Sequence, residues 1–329
     1  MNDKLIQYEI LSRDAEVHRL LYDRLLSRIK EFNIRLKPSR SVEVWAIENA
    51  DTPKTPITQG PRRTLMMGFL FSLIAGIGLA FFIDYMDNTV KTGEDAETSR
   101  HSILGMVPLV KKDAHTHIET IVLEEPGSII SEAYKAIRTS VLLSSPEGSP
   151  EIILISSMNQ GTGKTVSSLN LAIALAQSEK KVLLVDADMR RSRIHKIFGL
   201  DNTSGLSTYL SNKSDIITMP SGKQEFLDIA PAGPVPPNPS ELLTFSRLGK
   251  FIQTVREQYD FVIIDSPPLF NVSDAHLISK VVEQTILVVR SGNSTYDSVA
   301  RAQNILTNIN SSLLGLIVNA VDIKKESYY

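Results

Sequence analysis

The sequence predicts an α/β domain, a mostly parallel sheet with helices on both faces, preceded by a coiled-coil helix and one transmembrane helix. Three observations predict it. From about Ile103 onward apolar runs of strand length alternate with helical patterns, nineteen uncharged residues stand upstream, and an apolar stripe with spacings of three and four fills the first 36 residues. The chain has 329 residues and a formal net charge of -2, the composition of an ordinary globular protein; that charge says nothing about nucleic acid, and no nucleic-acid partner is expected. It has no cysteine, which excludes disulfides, thiolate metal sites and a thiol nucleophile.

The stripe is Tyr8, Leu11, Ala15, His18, Tyr22, Leu25, Ile29, Phe32 and Leu36, the pattern of a coiled-coil seam, with His18 read as a packing residue. A second heptad segment is not visible, so the partner helix is expected in another chain or in sequence upstream of Met1. The stretch "SVEVWAIENADTPKTPITQGPRR" follows, read as one short strand and a proline-rich lead. Next comes "LMMGFLFSLIAGIGLAFFI", Leu65 to Ile83, bracketed by Arg62 and Arg63 before it and by Asp84 and Asp87 after it. At about 1.5 Å per residue it matches the roughly 30 Å hydrocarbon layer of a bilayer, which predicts a transmembrane helix.

Beyond it the strand runs are "ILGMVPL", "EIILISS", "KVLLVDAD", "FLDIAPAG", "FVIIDSPP", "QTILVVRSG" and "LLGLIVNAV". Helical patterns lie near 131–143, 165–178, 240–257, 273–282 and 295–309. Strands joined by crossover helices place ligands at the carboxyl ends of the strands. Three such ends carry chemistry. "SSMNQGTGKT" is a phosphate-binding loop in which Met158 replaces the first glycine of the usual pattern. Gly161 and Gly163 let the backbone wrap phosphate oxygens, Lys164 supplies a charge to the β and γ phosphates, and Thr165 can ligate Mg²⁺. "VLLVDADMRRSRIH" carries Asp186 and Asp188, which reach one metal only if the chain bends after the strand. Its Arg190, Arg191 and Arg193 form either a solvated basic face or a phosphate or protein contact. "YDFVIIDSPPLFNVSDA" delivers Asp265 to the top of the sheet in the manner of a Walker B acid, with Pro267 and Pro268 ending the strand.

The set "SSMNQGTGKT", "LLVDADMRRSRIH", "PVPPNPSELL" and "DFVIIDSPPLFNVSDA" resembles the bacterial tyrosine kinases attached to polysaccharide co-polymerases, the BY-kinases, and the similarity covers nearly the whole chain. The resemblance implies a P-loop NTPase-like fold. It also implies four regions: 1–60, the end of a periplasmic coiled-coil co-polymerase region; 61–84, a transmembrane helix; 85–125, a juxtamembrane linker; and 126–329, a cytoplasmic kinase domain with a tyrosine tail. The first membrane helix and most of the periplasmic domain are expected to be missing. By resemblance, ATP is bound by Asn159, Gln160, Gly161, Thr162, Gly163, Lys164, Thr165 and Val166, and Mg²⁺ by Thr165, Asp186 and Asp265. Asp186 and Asp188 are then the Walker A′ pair, Asp265 is the Walker B acid, and Lys164, Asp186, Asp188 and Asp265 are catalytic, with Asp186 accepting the phenol proton. Related positioning ATPases carry an extra lysine where this chain has Asn159, and its absence favours the kinase branch.

The resemblance further implies a ring-like homo-oligomer, a polysaccharide export and polymerase machinery, a phosphotyrosine phosphatase and the bacterial inner membrane as partners and setting. The family's oligomerisation helix reads Glu-x-x-Arg-x-x-Arg, whereas "SEAYKAIRTS" supplies Glu132, Lys135 and Arg138. Lysine keeps the charge and loses the bidentate fork. The tail "IKKESYY" holds Tyr328 and Tyr329 as autophosphorylation sites, a shorter cluster than the family's usual one. Arg62 and Arg63 alone would place the N-terminal side in the cytoplasm, but ATP use requires the reverse, and Lys91, Lys111 and Lys112 partly offset the acids. The expected activity is tyrosine autophosphorylation. A non-kinase ATP-binding scaffold and a membrane-bound positioning ATPase are the alternatives.

Overall fold

A computed structural model describes residues 3–35, 61–90, 102–109, 117–144 and 149–322. The expected strand near 41–45, the proline-rich lead, Lys91, Lys111, Lys112, Tyr328 and Tyr329 lie outside the described residues. The chain divides into two compact units, Met1–Gly78 and Leu79–Tyr329.

The first helix, Asp3–Arg35, keeps the stripe residues from Tyr8 to Phe32 exposed, Leu11 at 73 %. The second, Pro61–Met86, has a stretch Arg62–Met86 with mean hydropathy 2.3 and none of it buried. By length and composition it can cross a bilayer.

Among the described residues the second unit has eight strands: β1 Ile103–Pro108, β2 Ile152–Ser157, β3 Val182–Asp186, β4 Met219–Pro220, β5 Leu227–Ala230, β6 Phe261–Asp265, β7 Gln284–Arg290 and β8 Leu313–Val321. Their order is β1-β8-β7-β2-β6-β3-β5-β4. Every pairing is parallel except the two-residue β4, which runs antiparallel to β5. The central strands β2, β3 and β6 are buried along their whole length, which is why their sequences read as unbroken apolar runs. Their shared carboxyl edge brings Asp186 into register with Asp265.

The expected strand run "ILGMVPL" forms β1 at the sheet edge, inside the stretch 85–125 read as a linker, and Val90 is buried, its N–H donating to Ser294 O at 2.8 Å. Residues 118–124 are held down by the helix Lys164–Ala176: Asn170 accepts from Val122 N and donates to Ile118 O, and Gln177 donates to Val122 O. The helix expected over 240–257 is two helices, Pro239–Leu242 and Phe245–Arg256. Leu243 is buried at the break, and Thr244 starts the second helix from extended backbone.

Candidate active site

The phosphate loop joins β2 to the helix Lys164–Ala176. Gly161 and Gly163 have φ of +79° and +97°, a region that favours glycine, and Gly163 caps the helix. Met158 stands where a glycine is usual because its side chain is buried at 1 %, in a cluster with Leu269, Leu287 and Val289. Asn159 and Gln160 are exposed, and Gln160 accepts from Arg191 at 2.8 Å.

Lys164 converges with two of the three expected carboxylates. Its Nζ lies 3.0 Å from Asp188 and 3.8 Å from Asp265. Burial pulls the ammonium toward neutrality, but Asp265 and Asp188 outweigh it and hold its pKa above the ordinary value. Asp265 accepts from the Thr165 hydroxyl at 2.8 Å and from the Ser168 hydroxyl at 3.0 Å. Burial raises its pKa, against the opposing pull of Lys164 and the two hydroxyls.

Asp186 is different. One carboxylate oxygen accepts from Arg193 N and Ile194 N, each at 3.1 Å, and the other is buried without a partner. Burial, then the neighbouring Asp265, push its pKa up to about 7 despite those two N–H groups. The chain does bend after β3, so Asp188 reaches Lys164 while Asp186 stays beside Asp265. An open cleft of about 480 Å³ runs past Gln160, Lys164, Thr165, Asp188, Arg190 and Pro267. Asp188 is on its wall; Asp186, 1 % exposed, is not.

The Thr165 hydroxyl, Asp265 and the unpartnered Asp186 oxygen are hard oxygen donors that suit Mg²⁺. Among the described residues no cluster of three or more His, Asp or Glu could hold a metal unaided, in keeping with an ion that takes its remaining ligands from phosphate and water. Of the three arginines, Arg190 pairs with fully buried Asp274 at 2.9 Å, and Asp274 also bonds Ser240, so Arg190 ties the loop after β3 to the "PPNPSELL" segment.

Sequence reasoning missed four contributors. Ser168 supports Asp265, Asp274 anchors Arg190, Arg290 donates to Gly161 O at 3.0 Å, and Asn319 donates to Thr162 O at 2.7 Å. The last two stand at the carboxyl ends of β7 and β8, far in sequence from the loop they touch. On the helix Ile129–Leu142, Glu132 pairs with Lys135 at 2.7 Å, Lys135 also donates to Pro126 O, and Arg138 reaches inward to Ala174 O at 2.9 Å. The expected triad is therefore split, with Arg138 spent on the neighbouring helix.

Comparison with known proteins follows the same lines. A family model described as "ParA: NUBPL iron-transfer P-loop NTPase" matches residues 149–327. The tyrosine-protein kinase YwqD of Bacillus subtilis (strain 168) is 37 % identical over 210 residues, which cover 64 % of this chain and 89 % of YwqD. The chain belongs to the bacterial tyrosine kinases, the BY-kinases. The tyrosine-protein kinase etk of Escherichia coli K12 is 32 % identical over 337 residues, 96 % of this chain. The chain spans 46 % of that BY-kinase's length. The solved kinase domain of the Escherichia coli tyrosine kinase ETK superposes with a TM-score of 0.66 at 33 % identity, covering 70 % of this chain and 94 % of that domain. The P-loop NTPase fold read from the sequence is thus the fold of BY-kinase domains.

Proposed function

We propose that the chain binds Mg²⁺·ATP and transfers the γ-phosphoryl group to protein tyrosine, with Tyr328 and Tyr329 of a neighbouring copy as acceptors. The convergence of Lys164 on Asp188 and Asp265, beside Asp186, carries this reading. The loop from Asn159 to Val166 cradles the phosphates, and Lys164 neutralises charge as the bond from the γ-phosphorus to the bridging oxygen breaks. Thr165, Asp265 and Asp186 would hold Mg²⁺, which would supply charge neutralisation to the phosphates. The attacking phenol oxygen forms the new bond to phosphorus, and its proton passes to Asp186 as general base. Asp188 keeps Lys164 aimed.

On this reading residues 1–60 end a periplasmic co-polymerase region, 61–84 cross the inner membrane, 85–125 connect to the sheet, and 126–329 act in the cytoplasm. The assembly is a ring-like homo-oligomer that regulates capsular or exopolysaccharide polymerisation and export and is reset by a phosphotyrosine phosphatase. Glu132, Lys135 and Arg138 contribute to assembly, with Arg138 acting through the helix it supports. Exposed Asn159, in place of the positioning ATPases' lysine, argues against that alternative.

The test mixes a Lys164→Met chain with an active chain lacking residues 328–329. Phosphate on Tyr328 or Tyr329 of the inactive chain is the expected result. Label confined to other residues, Tyr296 for example, overturns the tail assignment, and ATP-dependent assembly without phosphotyrosine replaces the kinase by a scaffold.

A further inference from the structure

Two residues outside the phosphate loop hold its carbonyl groups from behind. Arg290, at the end of β7, donates from Nη1 to Gly161 O at 3.0 Å, and Asn319, its register partner in β8, donates from Nδ2 to Thr162 O at 2.7 Å. Asn319 is itself fixed, since its Oδ1 accepts from Ala320 N at 2.8 Å and its carbonyl accepts from Ser291 N at 2.9 Å. Ala320 has φ of +60°, a strained value for a residue with a side chain, kept where the Asn319 amide spans it and the loop. The approach is close: a Cβ built on Gly163 would lie 2.0 Å from Asn319 Nδ2.

In a trans peptide the C=O and the following N–H point in opposite directions, and among the described residues no peptide bond is cis. Drawing the Gly161 carbonyl toward Arg290 therefore turns the Thr162 N–H away from it, and drawing the Thr162 carbonyl toward Asn319 does the same for the Gly163 N–H. We propose that Arg290 and Asn319 are positioning residues that orient these two peptide planes, presenting the Thr162 and Gly163 N–H groups as a preformed nest for the β-phosphate of a nucleoside di- or triphosphate. Successive N–H groups fixed in this way form an anion-binding concavity at no reorganisation cost during binding. The inference rests on the nucleotide-site reading above and extends it to two residues that touch no phosphate themselves.

The test measures Mg²⁺·ADP affinity by calorimetry and the melting temperature with and without Mg²⁺·ADP. The variants are Asn319→Ala, Asn319→Asp and Arg290→Met; the Asp variant keeps an acceptor for Ala320 N and loses the donor to Thr162 O. The expected result is a Kd raised about tenfold in both Asn319 variants and about threefold in Arg290→Met, where the exposed side chain leaves folding intact. Arg290→Lys should restore most of the affinity. The rise in melting temperature on adding Mg²⁺·ADP should shrink in step while the nucleotide-free melting temperature of Arg290→Met stays within about a degree. Affinity within twofold of the parent in Asn319→Asp and Arg290→Met overturns the positioning role. A parent chain that binds no Mg²⁺·ADP removes the nucleotide site itself, and this inference with it.

Discussion

The carboxyl ends of β3 and β6 lie side by side, with Asp186 opposite Asp265 and both 1 % exposed, yet their surroundings differ. Asp265 is met by a cation and two hydroxyls, all from the phosphate loop and its helix. Asp186 is met by two backbone N–H groups on one oxygen and by nothing on the other. Equal burial raises the pKa of both yet produces two different groups: Asp265 is built into the nucleotide cradle by a cation and two hydroxyls that oppose the rise, whereas Asp186, lifted to about 7, keeps one oxygen without a hydrogen-bond partner among the described residues. The difference teaches that a buried strand-end acid is assigned by its partners and not by its place in the strand.

The largest expected effect removes the group the two ends share. Lys164→Met should lower tyrosine phosphorylation by about 10²–10³-fold, the scale of losing one transition-state donor, without unfolding the sheet. Phosphate incorporation and a melting curve check both parts. Asp265→Asn should lose activity on a similar scale, about 10²-fold, and weaken Mg²⁺·ADP binding as well, because it removes the negative charge and one of the two oxygens that accept from the Thr165 and Ser168 hydroxyls. Titration of Mg²⁺ at fixed nucleotide measures this.

Asp186→Asn sharpens the contrast by acting in two opposite directions. As loss of a base, it should lower phosphorylation about 10²-fold. As removal of a poorly solvated acid, it should stabilise the nucleotide-free fold. An acid held protonated in the fold ionises first in the unfolded chain, so its contribution to stability falls as pH rises from about 4 to 7 and stays low above that. The gain in Asp186→Asn should therefore be near zero at pH 4 and roughly 2 kcal/mol at pH 8, about half of what the full displacement of the carboxyl from its ordinary range would give. Thermal melts of both proteins across that range check it. An equal gain at pH 4 and 8 would break the comparison.

The smallest effects belong away from both strand ends. Arg138→Ala removes a hydrogen bond from a charged donor to Ala174 O and should cost about 1–2 kcal/mol, whereas Glu132→Ala breaks only an exposed pair with Lys135 and should cost less than about 0.5 kcal/mol. Melting curves separate the two.

The frame was largely legible because a parallel sheet buried on both faces writes its strands as apolar runs, and all seven such runs form strands within a few residues. The phosphate loop and the three aspartates were legible for the same reason, each standing where an apolar run stops. Asn319 and Arg290 were not, because their hydrogen bonds cross 157 and 129 residues to backbone carbonyls and leave no local pattern. The inward hydrogen bond of Arg138 was not legible for a related cause: helical spacing puts it near the face of Glu132 and Lys135, but a long side chain can turn to a neighbouring helix end. The break at Leu243 was hidden because helical periodicity continues on either side of one buried residue.

On the proposed function, the ends of β3 and β6, with Lys164, drive phosphoryl transfer to tyrosine. The most direct measurement incubates the detergent-solubilised chain with Mg²⁺·ATP and maps phosphate by mass spectrometry, beside Lys164→Met and Asp186→Asn. The account predicts phosphotyrosine on the parent chain, about 10²–10³-fold less on Lys164→Met alone, and about 10²-fold less on Asp186→Asn. Parent protein that hydrolyses ATP while acquiring no phosphotyrosine, or Lys164→Met labelled as fully as the parent, would contradict it.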